Sequence, residues 1–280
     1  MVNEAGAATP GTLYIVSTPI GNLGDLSPRA IEVLRAVAAI LAEDTRHSGL
    51  LRERFDIRTP MVAHHEHNEA KTVPGLVARL LRGESLALVS DAGTPLLSDP
   101  GSRLVRASID AGVVVTPVPG ASALLAAIAG AGLPADRFTF YGFLARKGGD
   151  RTRAIAELAA LPHTAVLYEA PSRVAETLAD LAEAGAGDRD AVVARELTKQ
   201  YEEFRRGTVA TLARYYAGSE PRGEIVLLLA GAPGAEVNED ALRERAAALR
   251  VEGMSARDIV RVLMETANAP RNLAYRIAHE

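Results

Sequence analysis

Residues 90–101 read SDAGTPLLSDPG, two carboxylates, two glycines, two prolines and three hydroxyls placed directly after the apolar run Leu86-Ala87-Leu88-Val89. Two more loops share that setting, 18–26 (TPIGNLGDL) and 119–122 (PGAS), each after an apolar run and before a helical pattern. Glycines such as Gly21 let backbone approach a ligand, prolines hold the loop without donating, and free N–H groups at helix starts bind acceptors. None of the three matches G-x-G-x-x-G or the Walker pattern, and a carboxylate pair has the wrong sign for phosphate. Asp91 therefore suits a cationic or hydroxyl-rich ligand. Asp99, followed by Pro100, reads as the N-cap of the next helix. Asp44, in AEDTRHS, is either a proton acceptor or a helix cap. The HHEH run at 64–67 invites a metal reading, but no further ligand cluster accompanies it, so no metal is assigned.

These loops need strands behind them. Strand patterns are predicted at 12–17, 38–42, 61–64, 86–90 and 113–118, alternating with helical ones. Ser27-Pro28 marks one helix start, with Ile31 and Leu34 on one face. Alternation over about the first 130 residues argues a parallel sheet covered on both faces, with all three loops at the carboxyl ends of its strands, where ligands bind. Residues 130–136 (GAGLPAD) are the expected hinge. Beyond it, strands at 138–143, 165–168, 191–195, 203–209 and 224–229, with helices at 152–161 and 172–184, predict a mixed sheet. The last stretch shows no strand pattern and reads as three helices, 239–249, 255–266 and 270–278. Ser255 caps the second, and Ile259, Val260, Leu263 and Met264 form its apolar face. The expected division is a flexible 1–11, an α/β domain 12–131, a mixed α/β domain 132–235 and a helical appendage 238–280.

Composition bounds the chemistry. The 280 residues are 48% hydrophobic and 24% charged, which is ordinary for a globular protein. There is no cysteine, so disulfides, thiolate catalysis and cysteine zinc sites are excluded. A net charge of −4 gives no global attraction to nucleic acid. Residues 112–135 carry no charge, but Pro117, Pro119 and Pro134 would break a spanning helix, and no membrane segment is expected. The N-terminal residues lack a basic region followed by an apolar one, so no export signal is expected.

The stretches STPIGNLGDLSPRA, AEDTRHSGLL, HNE at 67–69, SDAGTPLLSDPGSRLV, VPGASALLAA, YEAPSR and RELTKQYEE, followed by RGEIVLLLAG, together resemble the ribosomal RNA small-subunit methyltransferase I family. That family is a branch of the tetrapyrrole methylase fold, and the resemblance spans about residues 11–280. It implies an α/β fold of two domains with S-adenosylmethionine in the cleft between them and a helix-turn-helix-like appendage. The implied reaction is 2'-O-methylation of a cytidine in the decoding region of 16S ribosomal RNA, by a cytoplasmic homodimer acting on the small ribosomal subunit. By resemblance, Gly21, Asp91, Thr94, Ser122, Ala123, Tyr168 and Leu228 fall on cofactor positions. Asp44 is the first choice of base, with Glu69 and His67 behind it. Arg46 and Arg173 are candidates for RNA phosphate. Arg146, Lys147, Arg151 and Arg153 crowd one glycine-containing loop, which either contacts RNA or is a solvated helix start. Lys199 belongs to an ion-pair network or a substrate site, and Arg271 and Arg276 sit on the last helix. Where tetrapyrrole-acting relatives carry Gly-Pro-Gly-Asp, this chain has Ile20-Gly21-Asn22, which weakens a tetrapyrrole substrate more than it weakens methyl transfer. The competing readings are a tetrapyrrole or protein side-chain methylase of the same fold, and a non-enzymatic RNA-binding assembly factor.

Overall fold

The central strands of the first half are apolar on both sides, and both sides are covered. In the computed structural model, which describes residues 8–46, 49–233, 239–267 and 269–280, five parallel strands lie in the order β3-β2-β4-β1-β5. They are β1 (Thr12–Val16), β2 (Ala39–Ala42), β3 (Met61–Ala63), β4 (Leu86–Leu88) and β5 (Val114–Val118). Strand period two divides them. Tyr14, Val16, Ile40 and Ala87 face α1 (Pro28–Ala36), whereas Leu13, Ile15, Leu41 and Leu86 face α3 (Glu66–Leu81) and α4 (Ser102–Asp110). The first helix starts as expected, with the Ser27 hydroxyl accepting from the Ala30 N–H at 3.1 Å and Pro28 in the first turn. A short α2 (Gly49–Arg54) lies between β2 and β3.

The second sheet is mixed, in the order β6-β7-β10-β8-β9, with only β6 and β7 parallel. Its strands are β6 (Phe138–Phe143), β7 (Thr164–Glu169), β8 (Asp190–Arg195), β9 (Glu203–Thr208) and β10 (Ile225–Leu229). One face packs on α6 (Gly149–Ala160), α7 (Val174–Leu181) and α8 (Val209–Ala217) through Leu167, Val193 and Leu227. The other face, with Val166, Val192, Val226 and Leu228, packs on α5 (Ala123–Ala131), which follows the first sheet. That contact brings the two sheets together.

Four local expectations change. Asp99 does not cap α4: the cap is Gly101 at φ 118°, where an added Cβ would lie 2.5 Å from Leu88 Cδ2. Residues 130–136 are fastened rather than hinged, because Gly130 packs on the Phe204 ring and Arg206 Nε donates to the Ala131 carbonyl at 3.0 Å. The strand expected to reach Val209 stops at Thr208, whose hydroxyl accepts from the Thr211 N–H and opens α8. On the helix Ala256–Ala267, Met264 is 38% exposed and off the apolar face.

Residues up to Gly231 form one compact unit and those from Ala232 a second. The second holds α9 (Glu239–Val251), α10 (Ala256–Ala267) and α11 (Arg271–His279) around Leu242, Leu249, Ile259, Leu263 and Ile277. Ser255 caps α10, accepting from the Asp258 N–H at 3.2 Å. Asn238, where the appendage was expected to begin, lies outside the described residues. Among the described residues no helix is long and apolar enough to cross a membrane.

Candidate functional site

The three loops are laced to one another at the carboxyl edge of the first sheet. Thr18 and Gly93 exchange backbone hydrogen bonds of 2.8 and 3.1 Å, the Ser17 and Thr94 hydroxyls lie 2.9 Å apart, and the Thr94 hydroxyl donates to the Ala121 carbonyl at 3.2 Å. Gly93 takes φ +85°, which lets the second loop close against Ile20. Leu96 and Ser98 on this loop, and Glu196 and Thr198 on the loop facing it, have left-handed backbones at φ 75°, 69°, 52° and 65°. Such strain in non-glycine residues collects at ligand sites.

Between these loops and the second sheet lies a cleft of about 390 Å³. From the first half it is lined by Ile20, Asp91, Thr94, Leu97, Asp99 and Ala123. The second half supplies Phe143, Tyr168, Glu169, Leu197, Glu224 and Val226. Asp91 accepts from the Asp44 N–H at 3.1 Å, which joins the second loop to the end of β2. Burial pushes Asp99 up from 3.8 to about 6, with Glu43 and Asp91 adding repulsion and the Ser90 hydroxyl working the other way. Glu43 is raised too, first by burial and then by Asp91. Among the described residues, no basic side chain pairs with Asp91 or Asp99. Tyr168 is held edge-on to Phe140 and tilted against Phe143. Burial raises its pKa. Glu169 is buried, accepting from the Thr177 hydroxyl at 2.6 Å and from the Ala170 N–H at 2.9 Å.

Of the expected cofactor residues, Asp91, Thr94, Ala123 and Tyr168 line this cleft, and three do not. Ser122 is buried as the cap of α5. Leu228 shares the inward face of β10 with Val226 but stands two residues further along the strand, about 7 Å deeper, beneath α5. Gly21 is crossed by the Lys199 side chain, whose Cγ would be 2.3 Å from an added Cβ.

The candidate bases separate as well. Glu69 is 6% exposed and accepts from the Arg103 N–H at 3.1 Å, so it fixes the start of α4 and faces the buried His64 ring at 3.9 Å. His67 is exposed on α3, away from the cleft lining. Asp44 follows β2 with its carboxylate paired to Arg46, at 2.8 and 3.1 Å. Among the described residues, no three His, Asp or Glu side chains gather as metal ligands.

Most of the basic candidates are tied into the protein. Arg151 is 6% exposed and holds Asp180 at 2.6 Å and Thr177, which removes it from any RNA surface. Arg173 donates to the Leu144 and Ala145 carbonyls at 3.1 and 2.9 Å and lies 3.4 Å from Glu169. It shapes the loop after β6 rather than meeting phosphate. Lys199 bridges Glu196 and Glu224 at 2.9 and 3.2 Å. Arg153 pairs with Asp150, and Arg276 with Glu239. Arg146, Lys147 and Arg271 are exposed.

The sequence reading missed Asp99, Glu169 and Val226 as cleft residues. Gly101 was the available signal for the first, since a glycine cap moves the helix start past Asp99. Strand parity with Tyr168, the register partner of Val226, was the signal for the last.

A family model for Tetrapyrrole (Corrin/Porphyrin) Methylases matches residues 12–213. Two proteins called ribosomal RNA small subunit methyltransferase I match almost end to end. One from Xylella fastidiosa is 50% identical over 270 residues, 96% of this chain and 99% of that protein. One from Synechocystis sp. is 45% identical over 273 residues, 96% and 98% of the two. The chain belongs to the ribosomal RNA small subunit methyltransferase I family. Its fold is that of the tetrapyrrole methylases. Uroporphyrin-III C-methyltransferase from Thermus thermophilus, crystallised with S-adenyl homocysteine, superposes with a TM-score of 0.56 at 19% identity, covering 78% of this chain and 97% of that one. Diphthine synthase gives 0.60 at 15% identity, covering 79% and 89%. Members of one fold thus act on a tetrapyrrole, as the first of these names states, and on ribosomal RNA, so the fold alone does not choose the substrate.

Proposed function

We propose that the protein uses S-adenosylmethionine to methylate the 2'-hydroxyl of a cytidine in the decoding region of 16S ribosomal RNA, working on the small subunit as a cytoplasmic homodimer. The observation that carries the donor is the cleft's charge: two carboxylates without basic partners among the described residues, one of them held neutral up to about pH 6. That donor set fits a sulfonium cation, and Ile20, Leu97, Ala123 and Val226 offer an apolar seat for an adenine. When bound, the cofactor supplies a methyl group already attached to a good leaving group. The chain's part is then to align the ribose oxygen and to accept its proton. Asp91 and Asp99 face the cation, the apolar lining excludes water, and Asp44, fixed to Asp91 through its N–H, takes the proton. Arg146 and Lys147, on the loop that Arg173 shapes, meet the RNA backbone. The helical unit from Ala232 docks on the ribosomal subunit, with Arg271 exposed at the start of its last helix.

The test is to incubate the protein and radiolabelled S-adenosylmethionine separately with small ribosomal subunits, free ribosomal RNA, a tetrapyrrole and an elongation factor. Label in a 2'-O-methylcytidine from the small subunit is the expected result. Label in the tetrapyrrole or the protein would replace this reading with another methylase of the same fold, and none anywhere would favour a non-enzymatic assembly factor.

A further inference from the structure

One edge of the second sheet collects the ends of β6, β7 and β8 and the beginnings of β10 and β9. In strand order, that edge runs from the loop bearing Arg146 and Lys147, past Glu169, to Arg222 just before β10, and then to Arg195 and Glu203. Four strand spacings make it about 19 Å long. The methyl-transfer cleft opens at its middle, lined by Glu169, Gly223 and Glu224.

A second cavity, of about 240 Å³, lies at the β9 end. Arg195, Arg205, Arg222 and Tyr215 line it, with Glu203 and Glu220. Glu203 grips the other two arginines, taking Arg195 Nε at 2.7 Å and Arg205 Nη2 at 2.5 Å. Arg205 also lies 4.0 Å above the Tyr215 ring, which fixes its plane. Arg222 differs from both. Its guanidinium makes no hydrogen bond or ion pair among the described residues, and it is exposed. Three guanidinium groups against two carboxylates leave the cavity cationic. The two cavities share a wall, since Arg222 lines one while Gly223 and Glu224 line the other.

A ligand that reaches both cavities is extended, placing a neutral group in the cleft and an anion beside it. We propose that the second cavity is a phosphate subsite for the RNA strand whose target ribose enters the cleft, with Arg222 making the contact and Arg195, Arg205 and Tyr215 forming a fixed cationic backing. The inference rests on the RNA methyltransferase reading above and adds where the strand runs: across the shared wall, toward β9. Guanidinium is the group suited to this work, because its fork matches two phosphate oxygens.

The experiment compares Arg222→Ala, Arg222→Glu and Arg222→Lys with Arg137→Ala, an exposed arginine just before β6 and so at the opposite edge of the same sheet. Methyl transfer to small subunits is measured over a range of salt, alongside calorimetric titration of S-adenosylmethionine. Arg222→Ala is expected to raise KM for the subunit about 5- to 10-fold with kcat within about 2-fold and cofactor affinity unchanged, and to flatten the salt dependence of log KM by about 0.7, the loss of one phosphate contact on a single strand. Arg222→Glu should exceed it, Arg222→Lys should recover most of the loss, and Arg137→Ala should match the parent protein. Unchanged KM and salt slope in Arg222→Ala and Arg222→Glu, or equal losses in Arg137→Ala, would overturn the subsite. Those results presuppose transfer by the parent protein. A parent protein that transfers no methyl group to the subunit sinks the methyltransferase reading itself, together with the subsite that rests on it.

Discussion

The carboxyl edge of the first sheet and the strand-end edge of the second meet at one cleft and handle charge in opposite ways. On the first, Asp91 and Asp99 stand without basic partners among the described residues, and Glu43 adds a third negative group beside them. On the second, most carboxylates are answered: Lys199 spans Glu196 and Glu224, and Glu203 sits between Arg195 and Arg205. What remains over there is net positive, with Arg146, Lys147 and Arg222 set against Glu202 and Glu220. Matched pairs hold walls in place and contribute little as exposed charges, whereas unmatched charge indicates what a site is built to receive. The first edge is built for a cation, the second for a polyanion.

The sharpest way to test the acidic side is at the proton. Asp44→Asn keeps shape and removes the basic oxygen, so single-turnover transfer to the small subunit should fall by about 10²-fold or more while calorimetric affinity for S-adenosylmethionine stays nearly the same. A variant keeping most of its rate would mean the proton leaves by another route, and the acidic edge would then serve binding alone.

The basic side is broken at its free charges. Replacing Arg146 and Lys147 together by Ala should raise KM for the subunit about 10-fold at low salt, with a shrinking effect as salt rises, because phosphate contacts are screened and their counterion release is less favourable. Arg151→Ala, a few residues away, should behave otherwise. Its guanidinium is buried against Asp180, so the loss should appear in denaturant melts as about 1–3 kcal/mol and not in KM. If Arg151→Ala raised KM as much as the double variant, the division between structural and RNA-facing arginines would fail.

That division also shows where sequence reading reaches its limit. Apolar runs and turn residues gave the strands, since burial on two faces demands a continuous apolar run and leaves a plain trace. The three-loop crevice followed from where those strands end. Which arginine is free did not follow, because Arg146, Arg151 and Arg153 sit in one run and only packing of α6 on α7 turns Arg151 inward toward Thr177 and Asp180. The surroundings of Glu69 were hidden for the same reason: its partner, the Arg103 N–H, is 34 residues away. Glu69→Ala should therefore cost about 1–3 kcal/mol of stability and leave the transfer rate of the folded protein unchanged, which thermal melts and single-turnover assays check together.

The smallest expected effect tests the comparison most directly, because it has opposite signs in two measurements. Burial raises Asp99 from 3.8 to about 6, so the folded, empty protein holds a proton there that the unfolded chain has already lost. The stabilising contribution of that proton is fully present below about pH 4 and is lost as pH rises through about 6. Asp99→Asn fixes the uncharged form. At pH 8 it should stabilise the empty protein by about 1 kcal/mol, a figure reduced for partial exposure, and near pH 4 it should change little. Binding should move the other way. A sulfonium in the cleft favours ionised Asp99, so the parent protein should bind S-adenosylmethionine more tightly at pH 7.5 than at pH 5, by roughly 3- to 10-fold, and take up the ligand with release of a proton. The variant should lose most of that rise, keeping only what Glu43, also raised by burial, supplies. Thermal melts at the two pH values and calorimetry in buffers of different ionisation enthalpy measure both halves. A variant that is more stable at pH 8 yet binds with the parent's pH dependence would separate Asp99 from the cation. The acidic edge would then owe its unmatched charge to Asp91 and Glu43.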